Sequence, residues 1–158
     1  MVSEVDEFLD AMLPRQLAAE QALCRGDAEP RSGTWSQRDP VTVFGAAGGL
    51  RRGWDEVSST TRWIAGRFSG LRDYEFELVA ASASGDLAYT VGFEHKTVSV
   101  DGEPVTYTLR VTHVYRREDG LWKTVHRHGD HATPGSGTAE RLSPPRSGES
   151  EPSRSSST

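Results

Sequence analysis

After Gly70 the apolar residues change from a helical spacing to alternation, and the alternation runs on through three turn signals. Tyr74, Phe76 and Leu78 alternate with Glu75, Glu77 and Val79. Ser84-Gly85-Asp86 turns the chain into Leu87, Tyr89, Val91 and Phe93. Asp101-Gly102, a hairpin signal, leads to Val105, Tyr107, Leu109, Val111, His113 and Tyr115, and Glu118-Asp119-Gly120 turns again into Trp122 to His128. A period of two joined by short turns describes an antiparallel meander with one face buried.

The residues before Gly70 read differently. Ser3-Glu4-Val5-Asp6 has an N-cap and acidic first-turn residues, and Val5, Phe8, Leu9, Met12, Leu13, Leu17 and Leu23 follow at helical spacing. Pro14 predicts a kink or break in that helix, and Gly26-Asp27 its end. Residues 28–40 are polar and turn-rich, Val41 to Phe44 is a short β-type run, and Trp54, Val57, Ile64 and Phe68 mark one face of a second helix. Helices first and a four-stranded meander after them predict a segregated α+β fold.

Composition sets the limits. A chain of 158 residues suits one domain, yet only 35% of it is hydrophobic, and the deficit is concentrated at one end. Residues 132–158 hold eight Ser, four Pro, three Gly and one large apolar residue, Leu142, so a domain over residues 1–131 and a disordered tail over 132–158 are expected. A lone cysteine, Cys24, excludes an internal disulfide. A net charge of −5 argues against a nucleic-acid partner. No apolar run is long enough for a membrane span, and the first residues do not open a signal peptide, so the expected location is cytoplasmic, away from any membrane. Gly45, Gly48 and Gly49 are followed by no Lys-Ser/Thr pair and make no phosphate loop, and no cofactor is expected.

The stretch Leu109 to Asp130, LRVTHVYRREDGLWKTVHRHGD, resembles the last hairpin of SnoaL-like proteins in the nuclear transport factor 2-like superfamily, which includes ketosteroid isomerases, polyketide cyclases and a kinase association domain. Gly26-Asp27, Asp39 to Gly45 (DPVTVFG), Gly53-Trp54-Asp55 and Ser84 to Tyr89 (SGDLAY) extend the resemblance over roughly residues 3–131. It implies a cone: a strongly curved antiparallel sheet, of the cystatin-like α+β barrel type, wrapped around N-terminal helices with a pocket between them. It also implies a homodimer or larger homo-oligomer assembled through the sheet's outer face. The isomerases of that superfamily need a carboxylate base in a DDATVED-like stretch. Laid on Asp39 to Gly45, its last carboxylate falls on Gly45 and Phe44 replaces the acid before it, so the usual isomerase base is missing.

If Glu118-Asp119-Gly120 forms a three-residue loop, Arg117 pairs with Leu121, His113 lies opposite Val125 and Val111 opposite Arg127. Leu109, Val111, His113, Tyr115 and Val125 then share the apolar pocket face, and Arg110, Thr112, Arg116, Trp122, Thr124, His126 and His128 the other. A two-residue Asp119-Gly120 turn would bring His126 and His128 inside instead. The kinase association domain's pocket arginines fall on His113 and Gly129, which agrees with the first pairing and leaves this chain without that arginine pair.

His113, near neutral in pKa on an apolar face, is the candidate acid/base; the competing reading is a core histidine bonded to Tyr115 or Tyr89. Arg127 on an inward face needs an anion, either a ligand or a protein carboxylate such as Asp55 or Glu56. Trp35, Phe44, Trp54, Tyr89, Val111 and Tyr115 are the candidate ligand-binding wall. His126, His128 and His131 with Asp130 could hold a metal, but a polar interface is the simpler reading, and no metal site is assigned. The expected function is therefore a small-molecule-binding protein, an isomerase, cyclase or hydrolase for an apolar ligand, with His113 and Arg127 as catalytic groups. The alternative is a non-catalytic assembly or ligand-binding module like the kinase association domain.

Overall fold

The computed structural model describes residues 2–132, so the expected tail lies outside the described residues apart from Ala132. Helix α1, Glu4–Cys24, begins at Ser3, whose side chain accepts from the Asp6 N–H at 3.2 Å. It passes through Pro14 without the expected break. The carbonyl that loses its partner belongs to Asp10, on the exposed side, where solvent can satisfy it. Phe8, Met12, Gln16, Ala19, Glu20, Leu23 and Cys24 meanwhile form one buried stripe along the helix.

The segment read as turn-rich contains a short helix, α2, Glu29–Thr34. Strands β1, Thr42–Phe44, and β2, Leu50–Arg52, form a small hairpin before α3, Trp54–Ala65. The meander follows as β3, Phe68–Ser84, β4, Leu87–Val100, β5, Glu103–Glu118, and β6, Leu121–His131. Sheet order is β2-β1-β6-β5-β4-β3, with β1 parallel to β6 and the remaining pairs antiparallel. The sheet is thus mixed rather than purely antiparallel, and it is curled without closing: β2 and β3 are its free edges.

The last hairpin reaches the expected inward pair by a different route. Asp119 and Gly120, at φ of 51° and 78°, form a two-residue turn of the kind that matches strand twist, so Arg117 pairs with Trp122 rather than Leu121. Alone, that register would turn His126 and His128 inward. A bulge after Thr124 absorbs Val125 and restores the parity, so His113 faces Arg127 and His126 and His128 stay on the outer face. Between turn and bulge, Trp122 and Thr124 point inward instead of outward as expected, and Trp122 joins Phe8, Met12, Ala88 and Tyr115 in a core cluster. Phe8 anchors it, with ring centroids 5.0 Å from Tyr115 and 5.1 Å from Trp122.

Candidate functional site

The inner face of β5 presents Leu109, Val111, His113 and Tyr115, all buried, toward α1. The two-residue Asp101-Gly102 turn pairs them with Glu94, Gly92, Thr90 and Ala88 of β4. The inward face of β4 is therefore its small and polar side. The apolar set Leu87, Tyr89, Val91 and Phe93 points outward, opposite to what hydrophobic alternation alone suggests.

Arg127 is held by carboxylates that the sequence reading did not single out. Its Nη2 donates to Glu94 Oε1 at 2.5 Å, and its Nη1 lies 3.9 Å from Glu20 Oε1 on α1. Asp55 and Glu56, the expected partners, are exposed on α3, where Glu56 accepts from the Arg52 N–H. Glu94 is fully buried and also accepts from the Tyr74 hydroxyl at 2.5 Å, with Lys96 Nζ at 3.8 Å. Arg31 of α2 reaches Glu20 Oε1 at 3.3 Å, while Glu20 Oε2 has no hydrogen-bond partner among the described residues. Burial alone would raise the Glu94 carboxyl. The Arg127 and Lys96 charges and the hydrogen bonds from Arg127 and Tyr74 override it and hold the group well below the carboxylate range. Burial and the same carboxylate push the Tyr74 phenol well above its ordinary value.

His113 completes the centre. Arg127 Nη1 lies 3.2 Å from its Nε2, and burial together with that guanidinium holds the imidazole neutral, well below the ordinary histidine value. Because arginine only donates, Nε2 accepts and the proton sits on Nδ1. Nδ1 is 3.3 Å from the amide nitrogen of Gln16, whose oxygen accepts from the Tyr115 hydroxyl. With that amide turned end for end, one chain of donors runs from Arg127 through His113, Gln16 and Tyr115 to Thr90, whose Oγ1 is 3.4 Å from the Tyr115 oxygen. Both imidazole nitrogens are engaged, so proton transfer to or from a ligand requires Gln16 to move off Nδ1.

A cavity of about 70 Å³ adjoins this network, lined by Leu13, Gln16, Leu17, Tyr74 and Phe76. Two of its walls, Gln16 and Tyr74, are the side chains bonded to His113 and Glu94. The expected aromatic wall is elsewhere. Trp35 and Trp54 pack with Val41, Val57 and Val125 in a separate core cluster beside the bulge. Phe44 is 44% exposed and stands edge-on to His126 and His128, and Tyr89, also 44% exposed, lies on the outer face. Val111 and Tyr115 do lie on the inner face. Among the described residues no group of three His, Cys, Asp or Glu side chains could hold a metal, and no helix is long and apolar enough to cross a membrane.

Glu94, Glu20, Lys96 and Tyr74 are the residues that sequence reasoning missed. A signal for Glu94 was present. Carrying the inward parity of His113 back through the Asp101-Gly102 turn puts Glu94 opposite Leu109 on the inner face.

The fold matches solved structures over most of its length. A ketosteroid isomerase-like protein from Erwinia carotovora atroseptica is 17% identical with a TM-score of 0.67, covering 82% of this chain and 99% of that one. A protein named as a dehydratase of the NTF2-like family from Streptomyces avermitilis is 22% identical with a TM-score of 0.65, covering 82% and 99%. One from Thiobacillus denitrificans, named as a calcium/calmodulin-dependent protein kinase type II association domain, is 18% identical with a TM-score of 0.64, covering 78% and 96%. At these identities the likeness is one of fold. No curated protein matches the chain. The model of the SnoaL-like domain matches residues 17–132, which take in Gln16's neighbour Leu17, all of the meander and every inward group of the network except Gln16 itself. This chain belongs to the SnoaL-like domain family.

Proposed function

We propose that the chain is a small-molecule-binding domain whose ligand sits between α1 and the inner face of the sheet, with His113 and Arg127 as its central polar groups. One observation carries this reading: the 70 Å³ cavity is walled by Gln16 and Tyr74, the two side chains hydrogen-bonded to His113 and Glu94. A ligand that displaces Gln16 would gain direct access to a neutral imidazole and a guanidinium. That pair suits isomerase, cyclase or hydrolase chemistry in which His113 shuttles a proton and Arg127 steadies developing negative charge. Val111 and Tyr115 would form the wall beneath. The test is a small-molecule screen followed by ¹H–¹⁵N NMR. Binding should shift Gln16, Tyr74 and the His113 ring, and His113→Gln should abolish any turnover. A confirmed ligand that leaves those signals unmoved, or full turnover by the variant, refutes the proposal.

A second reading, a non-catalytic module that assembles with copies of itself, draws support from the outer face. Val79, Leu87 and Tyr89 are exposed there, and a groove of about 290 Å³ runs between Val79, Phe93, Arg110, His128 and Asp130. Light scattering decides it: a strict monomer at micromolar concentration rules this reading out.

A further inference from the structure

The cavity between α1 and the sheet owes its shape to a residue that has no side chain. Phe76 stands opposite Glu94 on the inner side of β3, diagonal to Gly92 of β4, which pairs with Leu78. A Cβ on Gly92 would come within 2.7 Å of Phe76 Cζ and 2.8 Å of its Cε2, so the far edge of the ring takes the place of a side chain at residue 92. The ring is sunk against the backbone of β4, and the space between it and Leu13, Gln16 and Leu17 of α1 is the 70 Å³ cavity. The walls differ in what fixes them. Gln16 is tied to His113 and Tyr115, and Tyr74 to Glu94, by hydrogen bonds. Leu13 is half-buried and Leu17 exposed, so they bound the outer side. Phe76 carries no polar group, and its bulk can change without breaking the network.

We infer that Phe76, seated over Gly92, is the residue that sets the size of the ligand, and that it restricts the cavity to compact molecules smaller than an aromatic ring: a short aliphatic portion with one polar end. The inference rests on the binding reading above and adds the ligand's size to it. Magnitude decides what fits. An apolar cavity of about 150 Å³ takes a benzene ring, and this one has about half of that volume. The apolar walls Leu13, Leu17 and Phe76 suit the aliphatic portion, and the polar end belongs beside Gln16 and Tyr74, which lead to His113 and Glu94. Removing the ring joins its volume to the cavity, because Gly92 behind it has no side chain to fill the space.

The experiment titrates the full chain with n-propanol and with benzyl alcohol, following the ¹H–¹⁵N signals of Gln16 and Tyr74. Both titrations are repeated on Phe76→Ala and on Phe76→Leu, the second of which keeps most of the packing. In the parent, n-propanol is expected to shift both residues to saturation, and benzyl alcohol to bind at least tenfold more weakly. In the two variants the order is expected to invert, with benzyl alcohol gaining at least tenfold. Benzyl alcohol binding the parent as tightly as n-propanol, or gaining nothing in a folded variant, overturns the assignment of Phe76 but leaves the binding site standing. If neither alcohol moves Gln16 or Tyr74 in any of the three chains, both proposals fall. Should neither variant fold, Phe76 is a core residue rather than a wall of the site, and the inference fails.

Discussion

Glu94→Gln is the substitution that most directly probes the interior. Glutamine keeps the shape of the side chain but places an NH₂ where Glu94 offers an acceptor, and every partner of that carboxylate is a donor: Arg127 at 2.5 Å, the Tyr74 hydroxyl at 2.5 Å and the Lys96 ammonium at 3.8 Å. Among the described residues the change also leaves the buried cations Arg31, Lys96 and Arg127 with Glu20 as their one buried carboxylate. Removing one member of a buried ion pair costs about 3–5 kcal/mol, because the partner stays buried without compensation. Against a total stability of about 5–15 kcal/mol, such a loss is large but leaves a measurable folded state in the upper part of that range. Urea denaturation at pH 7 should show the midpoint falling by roughly 2 M at a slope of about 2 kcal/mol/M. Adding Lys96→Met removes one stranded cation, and the double variant should regain about half of the loss. A cost below about 1 kcal/mol for Glu94→Gln would refute this account of the network. So would a double variant less stable than the single one.

Three further outcomes are expected. The folded-state pKa of His113 lies below its unfolded value, so the unfolded chain binds the extra proton and stability falls as pH drops below about 6.5, by up to about 1.4 kcal/mol per unit; in His113→Gln, pH-dependent denaturation should lose that slope. The Glu94 carboxyl, held low, adds a second loss only below about pH 4.5, in the range where the unfolded carboxylate takes up protons. Pro14→Ala should stabilise the protein by about 1–2 kcal/mol, since α1 already runs through an exposed Pro14 and alanine restores the missing N–H, partly offset by a freer unfolded chain; a loss of stability in thermal melts would show that the proline shapes the helix. Gly92→Ala should cost about 1–3 kcal/mol, because a Cβ there would collide with the Glu77 carbonyl and come within 2.7 Å of the Phe76 ring; an unchanged denaturation midpoint would contradict that close packing.

The order of elements was legible because periodicity and turn residues are local. Asp101-Gly102 and Asp119-Gly120 both sit at positive φ in two-residue turns, as their composition demands. Placing His113 and Arg127 together on the inner face was legible only through two compensating displacements, a turn one residue shorter than expected and a bulge at Val125. A bulge has no local signature as strong as an Asp-Gly turn, and its placement depends on the strand across from it. The reading of β4 failed for a different reason. Hydrophobic alternation assigns the apolar side to the core, but the inner side of β4 meets Arg127, Tyr74 and the Tyr115 hydroxyl, so polar residues belong there. Glu94 is satisfied by Arg127 of β6 and Tyr74 of β3, and Thr90 meets Tyr115 of β5, so the partners that make these burials tolerable come together only when the elements are assembled. Trp35 and Trp54 illustrate the same limit: the sequence offers them as ligand-binding wall, and only the assembly of β1, α3 and β6 packs them with Val41, Val57 and Val125.

The open flank of β3 has a consequence for how copies of this chain can meet. A strand of 17 residues bonded on one side only carries a long row of free backbone donors and acceptors, the template on which a foreign strand can add. Here that row is interrupted by register shifts between Ser69 and Asp73 and between Leu78 and Ala80, and Arg72, Asp73, Glu75 and Glu77 stand exposed along it. The irregularities break the straight run that cross-strand pairing needs, and the charges would be stripped of water by an incoming edge. β3 is thereby a poor template for the edge-to-edge addition of another strand, however long its open flank.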